Sequence, residues 1–294
     1  MDGGFPLTPK RLEFDLPGRG PGRLSALEFG PGDRPYDLIF LHANGFNAGT
    51  YRRILEPLAQ TRRILAIDQR GHGASTLTTT PEGRTDWSDF RDDLLALLEV
   101  LEAKDVVLSG HSMGGTTSLL AAAATPTRVR ALVLFDPVIL PGPPGSIEAR
   151  GAGHSPMVQA ALRRRAVFPS RKAALDAYRG RGAFRTWPEE ILADFVESGF
   201  VDLPGGDVRL ACEPAWEASS YASHGHDPWL AFEVSTCPID ILRAEEASTC
   251  SVDGHLAELT HSGRVHVETI ARSTHFLPME RLDVVQRALT KALV

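Results

Sequence analysis

The sequence predicts an α/β fold: a doubly wound, mostly parallel sheet with a helical cap inserted before its penultimate strand. Three observations predict it. Unbroken apolar runs at residues 38–41, 64–67, 106–108 and 131–135 are each bounded by polar or turn residues, as in strands covered on both faces. Helical patterns at 51–59, 87–103 and 113–124 separate those runs, and such alternation marks a parallel sheet wound on both sides. Between Pro137 and Glu233 the alternation stops, helical stretches follow one another, and no buried-strand run appears.

Taken in order, the chain opens with β-like stretches at 11–16 and 24–29, separated by Pro17-Gly18-Arg19-Gly20-Pro21-Gly22. That is turn chemistry. The glycines lack the strand-then-helix frame of a phosphate loop. Pro141-Gly142-Pro143-Pro144-Gly145 opens the insertion, whose helices are expected at 157–167, 171–178 and 189–199. Strands at 239–242 and 265–270 and helices at 252–261 and 282–293 resume the alternation. The expected organisation is a discontinuous core, 1–136 and 234–294, with a cap at 137–233.

Composition bounds the function. The chain has 294 residues, 43% hydrophobic and 23% charged, an ordinary globule that needs no disulfide or metal staple. With 31 basic against 37 acidic residues the net charge is −6, which argues against a nucleic-acid partner. Cys212, Cys237 and Cys250 show no C-x-x-C spacing, so neither a disulfide framework nor a zinc knuckle is indicated. No apolar run reaches the ~18–20 residues of a membrane span. The start, Met1-Asp2-Gly3-Gly4-Phe5-Pro6, lacks the basic and apolar regions of a secretory signal. A cytoplasmic protein acting on a small molecule is expected, as a monomer or a homodimer.

The strongest chemical signal is Gly110-His111-Ser112-Met113-Gly114, between the 106–108 strand and the 113–124 helix. This is a G-x-S-x-G elbow in its confirming context. Side chains at either flank would clash, hence the glycines. The turn lifts the serine above the sheet edge, at a helix N-terminus whose amides stabilise negative charge. Three further segments accompany it: Leu41-His42-Ala43-Asn44-Gly45-Phe46, Asp68-Gln69-Arg70-Gly71-His72-Gly73-Ala74-Ser75 and Ser273-Thr274-His275-Phe276.

In these four segments, by order and spacing, the chain resembles the α/β-hydrolase superfamily over nearly its whole length. The resemblance implies that Ser112 is a nucleophile and His275, after the last strand, its general base. It implies an oxyanion hole of two backbone amides. One belongs to Met113. The other lies in the loop after the third strand, where Ala43-Asn44 reads as an insertion between His42 and Gly45, leaving Asn44 and Phe46 as alternatives.

Ten histidines compete for the base, and position favours His275, on the edge where Ser112 emerges. His111 cannot turn back on its neighbour's hydroxyl, His42 and His72 read as scaffold, and His255, His261 and His266 as surface or packing residues. His224-Gly225-His226-Asp227 lacks further ligands at metal spacing and reads as a cap loop. The triad acid is less direct. In the common form of the superfamily it follows the penultimate strand, where this chain has Ala244-Glu245-Glu246-Ala247, with alanine at the usual aspartate position. Some relatives, haloalkane dehalogenases among them, carry the acid one strand earlier. Asp136, 24 residues past Ser112 and followed by Pro137, resembles that arrangement and is favoured over Glu245 and Glu246.

The resemblance implies acyl transfer without metal or organic cofactor. Serine rather than aspartate at 112 argues against dehalogenase or epoxide-hydrolase chemistry. Carboxylic-ester hydrolysis is favoured, with lactones inseparable from it. Carbon–carbon hydrolases, perhydrolases and a non-catalytic small-ligand receptor on the same fold stand as alternatives. The cap aromatics Trp187, Trp216, Tyr221 and Trp229 divide between the pocket and the cap's own core.

Overall fold

The computed structural model describes residues 9–142 and 155–294. The Met1–Pro6 start and Pro143, Pro144 and Gly145 of the proline-glycine run lie outside the described residues. The strands of the main sheet are β1 (Lys10–Phe14), β2 (Leu24–Phe29), β3 (Leu38–Leu41), β4 (Ile64–Asp68), β5 (Val106–His111), β6 (Val129–Phe135), β10 (Ile239–Ala244) and β11 (Val265–Ile270). They lie in the order β1-β2-β4-β3-β5-β6-β10-β11. Pairing is antiparallel at β1–β2 and β2–β4 and parallel from β4 to β11. The strands β3, β4 and β5 are buried along their whole length, as their unbroken apolar sequences require.

Helices cover both faces. The segment 48–60 is not the single helix its pattern predicts. It splits into a 3-10 turn, the short α1 (Arg52–Leu55) and a second 3-10 turn with Pro57 in its first turn, because proline cannot donate to a continuing α-helix. The core helices α2 (Ser88–Val100) and α3 (Met113–Ala124) follow their predicted patterns, as does the closing helix α11 (Leu282–Ala292). Between β10 and β11 lie a 3-10 turn at Asp253–His255 and α9 (Leu256–Thr260), and a single turn, α10 (Leu277–Glu280), precedes α11.

The insertion carries α4 (Pro156–Leu162), α5 (Arg171–Tyr178), α6 (Glu189–Ser198), α7 (Pro214–Ala222) and α8 (Pro228–Val234). It also holds what the sequence did not announce, a small antiparallel sheet of β7 (Val167–Phe168), β8 (Phe200–Asp202) and β9 (Val208–Leu210), ordered β7-β9-β8. Strands of two or three residues are too short to show a period of two, so pattern reading passes over them. The expected boundary at 233/234 falls inside α8, and Ala231 and Phe232 of that helix belong to the core cluster that holds Leu119 and Leu120 of α3.

This insertion is docked, not loose. Asn47 donates its side-chain amide to the Phe195 carbonyl at 3.0 Å, Trp216 its indole N–H to the Arg70 carbonyl at 2.9 Å, and Trp87 its indole N–H to the Ser220 carbonyl at 3.0 Å. Its root is fixed too: Ile139 forms a parallel bridge with Cys250, its N–H donating to the Thr249 carbonyl at 3.0 Å.

Candidate active site

The C-terminal ends of β3, β5, β6 and β11 bring the predicted site residues to one edge of the sheet, where the strand order reverses around β3 and β5 and ligands of open α/β sheets bind. Ser112 lies between β5 and α3 with φ 55° and ψ −121°. Backbone in that region costs a non-glycine residue on the order of 1–3 kcal/mol. The surrounding contacts hold it there: the Ser112 N–H donates to the Phe135 carbonyl at 2.9 Å, and its carbonyl accepts the Thr116 N–H at 3.1 Å. A Cβ on Gly110 would run into the backbone of Gly114, and one on Gly114 into the carbonyl of Leu41. Both glycines are therefore demanded by the elbow.

His275 Nε2 lies 3.0 Å from Ser112 Oγ, and His275 Nδ1 lies 2.6 Å from Asp136 Oδ2. The Asp136 side chain is wholly buried and that of His275 is 20% exposed. Asp136 Oδ1 accepts the Ala244 N–H at 2.8 Å and the Ser248 hydroxyl at 2.6 Å, while Oδ2 accepts the Thr249 N–H at 3.0 Å. Burial opposes the charge, but hydrogen bonding and attraction from His275, with the Ser248 and Ala244 donors, outweigh it and hold the carboxyl below its ordinary pKa. Glu245 instead accepts the Arg272 N–H at 2.8 Å. Glu246 is exposed, and its backbone N–H donates to the Ser273 carbonyl.

The loop after β3 is fixed by two buried imidazoles whose tautomers follow from their partners. His42 Nε2 accepts the Gln69 N–H at 2.9 Å, so its Nδ1–H donates to the Ala43 carbonyl at 2.7 Å. His72 Nε2 accepts the Gly45 N–H at 3.0 Å, so its Nδ1–H donates to the Arg70 carbonyl at 2.9 Å. Burial pushes His42 down to about 4 and His72 to about 3, keeping both neutral. Phe46, one of the two alternatives for the second oxyanion amide, spends its N–H on the Ala43 carbonyl at 3.0 Å. That carbonyl is held from two sides, and a trans peptide sends the Asn44 N–H the opposite way. Among the described residues the Asn44 N–H has no partner.

A family model for the alpha/beta hydrolase fold matches residues 37–178. The 2-(acetamidomethylene)succinate hydrolase of Mesorhizobium japonicum is 27% identical over 260 residues, 86% of each chain. The crystal structure of E-2-(acetamidomethylene)succinate hydrolase superimposes with a TM-score of 0.79 at 25% identity, covering 97% of this chain and 99% of that one. The 3-oxoadipate enol-lactonase 2 of Acinetobacter baylyi is 30% identical over 146 residues, 48% of this chain and 53% of the relative. The chain belongs to the α/β-hydrolase superfamily.

As an α/β-hydrolase, the chain uses its D-x-R-G-x-G-x-S turn structurally. Asp68 is buried, pairs with Arg11 at 2.8 Å and accepts the Ala48 N–H at 2.8 Å, while Arg70 grips Asp93 through two nitrogens at 2.8 and 2.6 Å. The cap aromatics separate by place. Trp187 packs against Phe46 and Phe276 with ring centroids 5.2 and 5.9 Å apart, and Phe276 in turn meets the His275 ring at 5.6 Å. Glu280 accepts the hydroxyls of Thr186 and Thr274 at 2.6 and 2.8 Å, tying the loop before Trp187 to the one before His275. Trp216 lies under the Arg84 guanidinium at 4.0 Å and shares a cluster with Met113 and Val138. Tyr221 packs with Val158, Ala161 and Ala218, within the cap. Trp229 stands against His255 at 4.7 Å and packs on the core.

Among the described residues, His255, His261 and His266 are exposed, and His224 and His226 flank Trp87 at 5.2 and 4.3 Å. Among the described residues no three His, Cys, Asp or Glu side chains come together to hold a metal. Sequence reasoning missed Ser248 and Thr249 as partners of Asp136. Two hydroxyls beside an alanine where a carboxylate was expected were the signal available.

Proposed function

We propose that this α/β-hydrolase is a serine hydrolase of carboxylic esters, lactones included. The observation that carries the reading is the continuous run of contacts from Asp136 through His275 to Ser112, 2.6 and 3.0 Å long. Such a run is the working geometry of a nucleophile, its base and the acid that orients it. Ser112 Oγ attacks the carbonyl carbon as His275 Nε2 takes its proton. Asp136 stabilises the imidazolium and fixes its tautomer. The amides of Met113 and Asn44 receive the tetrahedral oxyanion. Loss of one such donor typically costs on the order of 10²–10³ in rate. His275 then protonates the leaving oxygen, and water repeats the attack on the acyl-enzyme.

A second reading is favoured by one observation. The relative aligned over 86% of both chains carries a name that specifies an acetamido-substituted dicarboxylate. On that reading Ser112 attacks an amide carbonyl and His275 hands its proton to the departing nitrogen. A panel of p-nitrophenyl esters of increasing acyl length, several lactones and 2-(acetamidomethylene)succinate tests both. Turnover of esters or lactones above the amide supports the first reading; the opposite order selects the second. Activity on none of them, with no serine labelled by a fluorophosphonate, overturns both.

A further inference from the structure

His111 precedes the nucleophile and is wholly buried, as is Tyr51 in the 3-10 turn beyond the β3 loop. Three hydrogen bonds join them to both neighbouring loops. The Ala43 N–H donates to the Tyr51 oxygen at 3.2 Å, Tyr51 Oη lies 2.8 Å from His111 Nδ1, and His111 Nε2 lies 2.7 Å from the His275 carbonyl. The direction of every link is forced from the two ends. A carbonyl only accepts, so His111 Nε2 carries the hydrogen, and a neutral imidazole then leaves a lone pair on Nδ1. Tyr51 must therefore donate to Nδ1, which frees its oxygen to accept from Ala43, a group that only donates.

We propose that Tyr51 and His111 are positioning residues that set three loops at a fixed separation: the one bearing Asn44, the elbow bearing Ser112, and the one bearing His275. The inference rests on the proposal that these three residues perform acyl transfer. Neither member of the pair touches the reacting atoms. Ala43 lies one peptide before Asn44, so its N–H anchors the strand-side end of the candidate oxyanion donor. The His275 carbonyl is held on its backbone, so the imidazole side chain is free to work while its root is fixed.

Two features suit the pair to the task. Burial, and then the adjacent His275, push His111 down to about 3, so it stays neutral as the neighbouring ring, 5.0 Å away, gains its charge during turnover. Burial also drives the Tyr51 hydroxyl well above the ordinary tyrosine range, so its proton remains available to donate. A chain of single-role donors and acceptors has no alternative arrangement to relax into. Displacement of one loop therefore breaks a buried hydrogen bond.

The chain can be cut at either end. Tyr51→Phe keeps the ring and removes the links to both Ala43 and His111. His111→Asn keeps an acceptor near the Nδ1 position and loses the donor to His275, whereas His111→Gln keeps a donor near Nε2 and loses the acceptor for Tyr51. With a p-nitrophenyl ester, Tyr51→Phe and His111→Asn are each expected to lower kcat by on the order of tenfold, with KM within about twofold. Tyr51→Phe combined with His111→Gln should cost little more than the worse single change, because both cut the same link. Equal losses in kcat and 1/KM, full additivity of the double variant, or kcat within twofold of wild type in Tyr51→Phe would overturn the proposal. A measurement on the unaltered protein guards against a variant that fails to fold: nitrogen-15 shifts of His111 at pH 7 should show the neutral tautomer protonated at Nε2. The Nδ1-protonated tautomer, or an imidazolium, would overturn the chain. A wild type inactive on the esters, the lactones and the amide alike, with no serine labelled by a fluorophosphonate, would sink the acyl-transfer reading, while the nitrogen shifts would still decide the hydrogen-bond chain.

Discussion

The hydroxyl of Ser248 donates to Asp136 Oδ1 at 2.6 Å, from the very loop in which the sequence comparison places the usual acid. The segment after β10 thus presents donors to a carboxylate delivered by β6, and the left-handed backbone at Ala247 and Asp136, φ 52° and 43°, shapes both sides of the contact. Removing that donor with Ser248→Ala leaves Asp136 less well stabilised and more strongly drawn to the charge on His275. The acid limb of kcat/KM should move to higher pH as a result. An unchanged limb would mean that the hydroxyl only packs the loop.

Neutralising the acid itself is a larger change. Asp136→Asn should lower kcat by about 10⁴, the scale seen when a triad carboxylate is lost. Glu245→Gln and Glu246→Gln should each stay within a few-fold of wild type, measured with the same ester. The reverse ranking would move the acid to the β10 loop and leave the nucleophile in place.

Ser112→Ala should abolish turnover and fluorophosphonate labelling while leaving the thermal midpoint nearly unchanged, since an elbow hydroxyl contributes little packing. Labelling of a different serine in this variant, or near-normal turnover, would refute the assignment of the nucleophile.

The two outer cap tryptophans should part company. Trp187→Ala opens the wall formed with Phe46 and Phe276 beside His275, and should change relative rates across acyl lengths. Trp229→Ala should cost up to about 3 kcal/mol of stability and leave those ratios alone. Denaturant midpoints and kcat/KM for a short and a long ester check both.

How much of this was legible in the sequence follows from the length of each signal. The strands β3 to β6 announced themselves because burial on both faces demands uninterrupted apolar residues. Ser112 and His275 were legible as candidates because a strand-to-helix glycine elbow and a post-strand histidine are local features. The choice between Asn44 and Phe46 was not, because it turns on the Ala43 carbonyl taking two donors, one from a histidine and one from a turn. Ser248 and Thr249 meet Asp136 across more than 110 residues of chain, and no window along the sequence contains that meeting. The small cap sheet escaped for the opposite reason, its strands being too short to carry a period.

Acid should unfold the protein early. Burial pushes His42 and His224 down to about 4, and His72, His111 and His226 to about 3. Their ordinary value is about 6.5. The unfolded chain therefore binds protons that the folded one refuses, and stability present above pH 6.5 is lost as pH falls toward 4 and 3. Each such group contributes a slope of up to about 1.4 kcal/mol per pH unit within that window. Urea midpoints measured from pH 7 to 4.5 should fall steeply, and a flat profile would show that these rings titrate normally.

The bridge between Ile139 and Cys250 has a practical consequence for recombination. Asp136 and the root of the insertion are only three residues apart, and both are sewn to the loop after β10. A chimaera that exchanged the insertion from Pro137 onward would replace Ile139, whose backbone N–H holds the Thr249 carbonyl, and so would disturb the loop whose Thr249 N–H donates to the Asp136 carboxylate. Crossover after Ile139 would keep that seam and exchange only the rest of the insertion. The upstream limit on shuffling lids between relatives of this architecture is therefore set by a backbone seam, within one turn of the acid, and not by where the sheet ends.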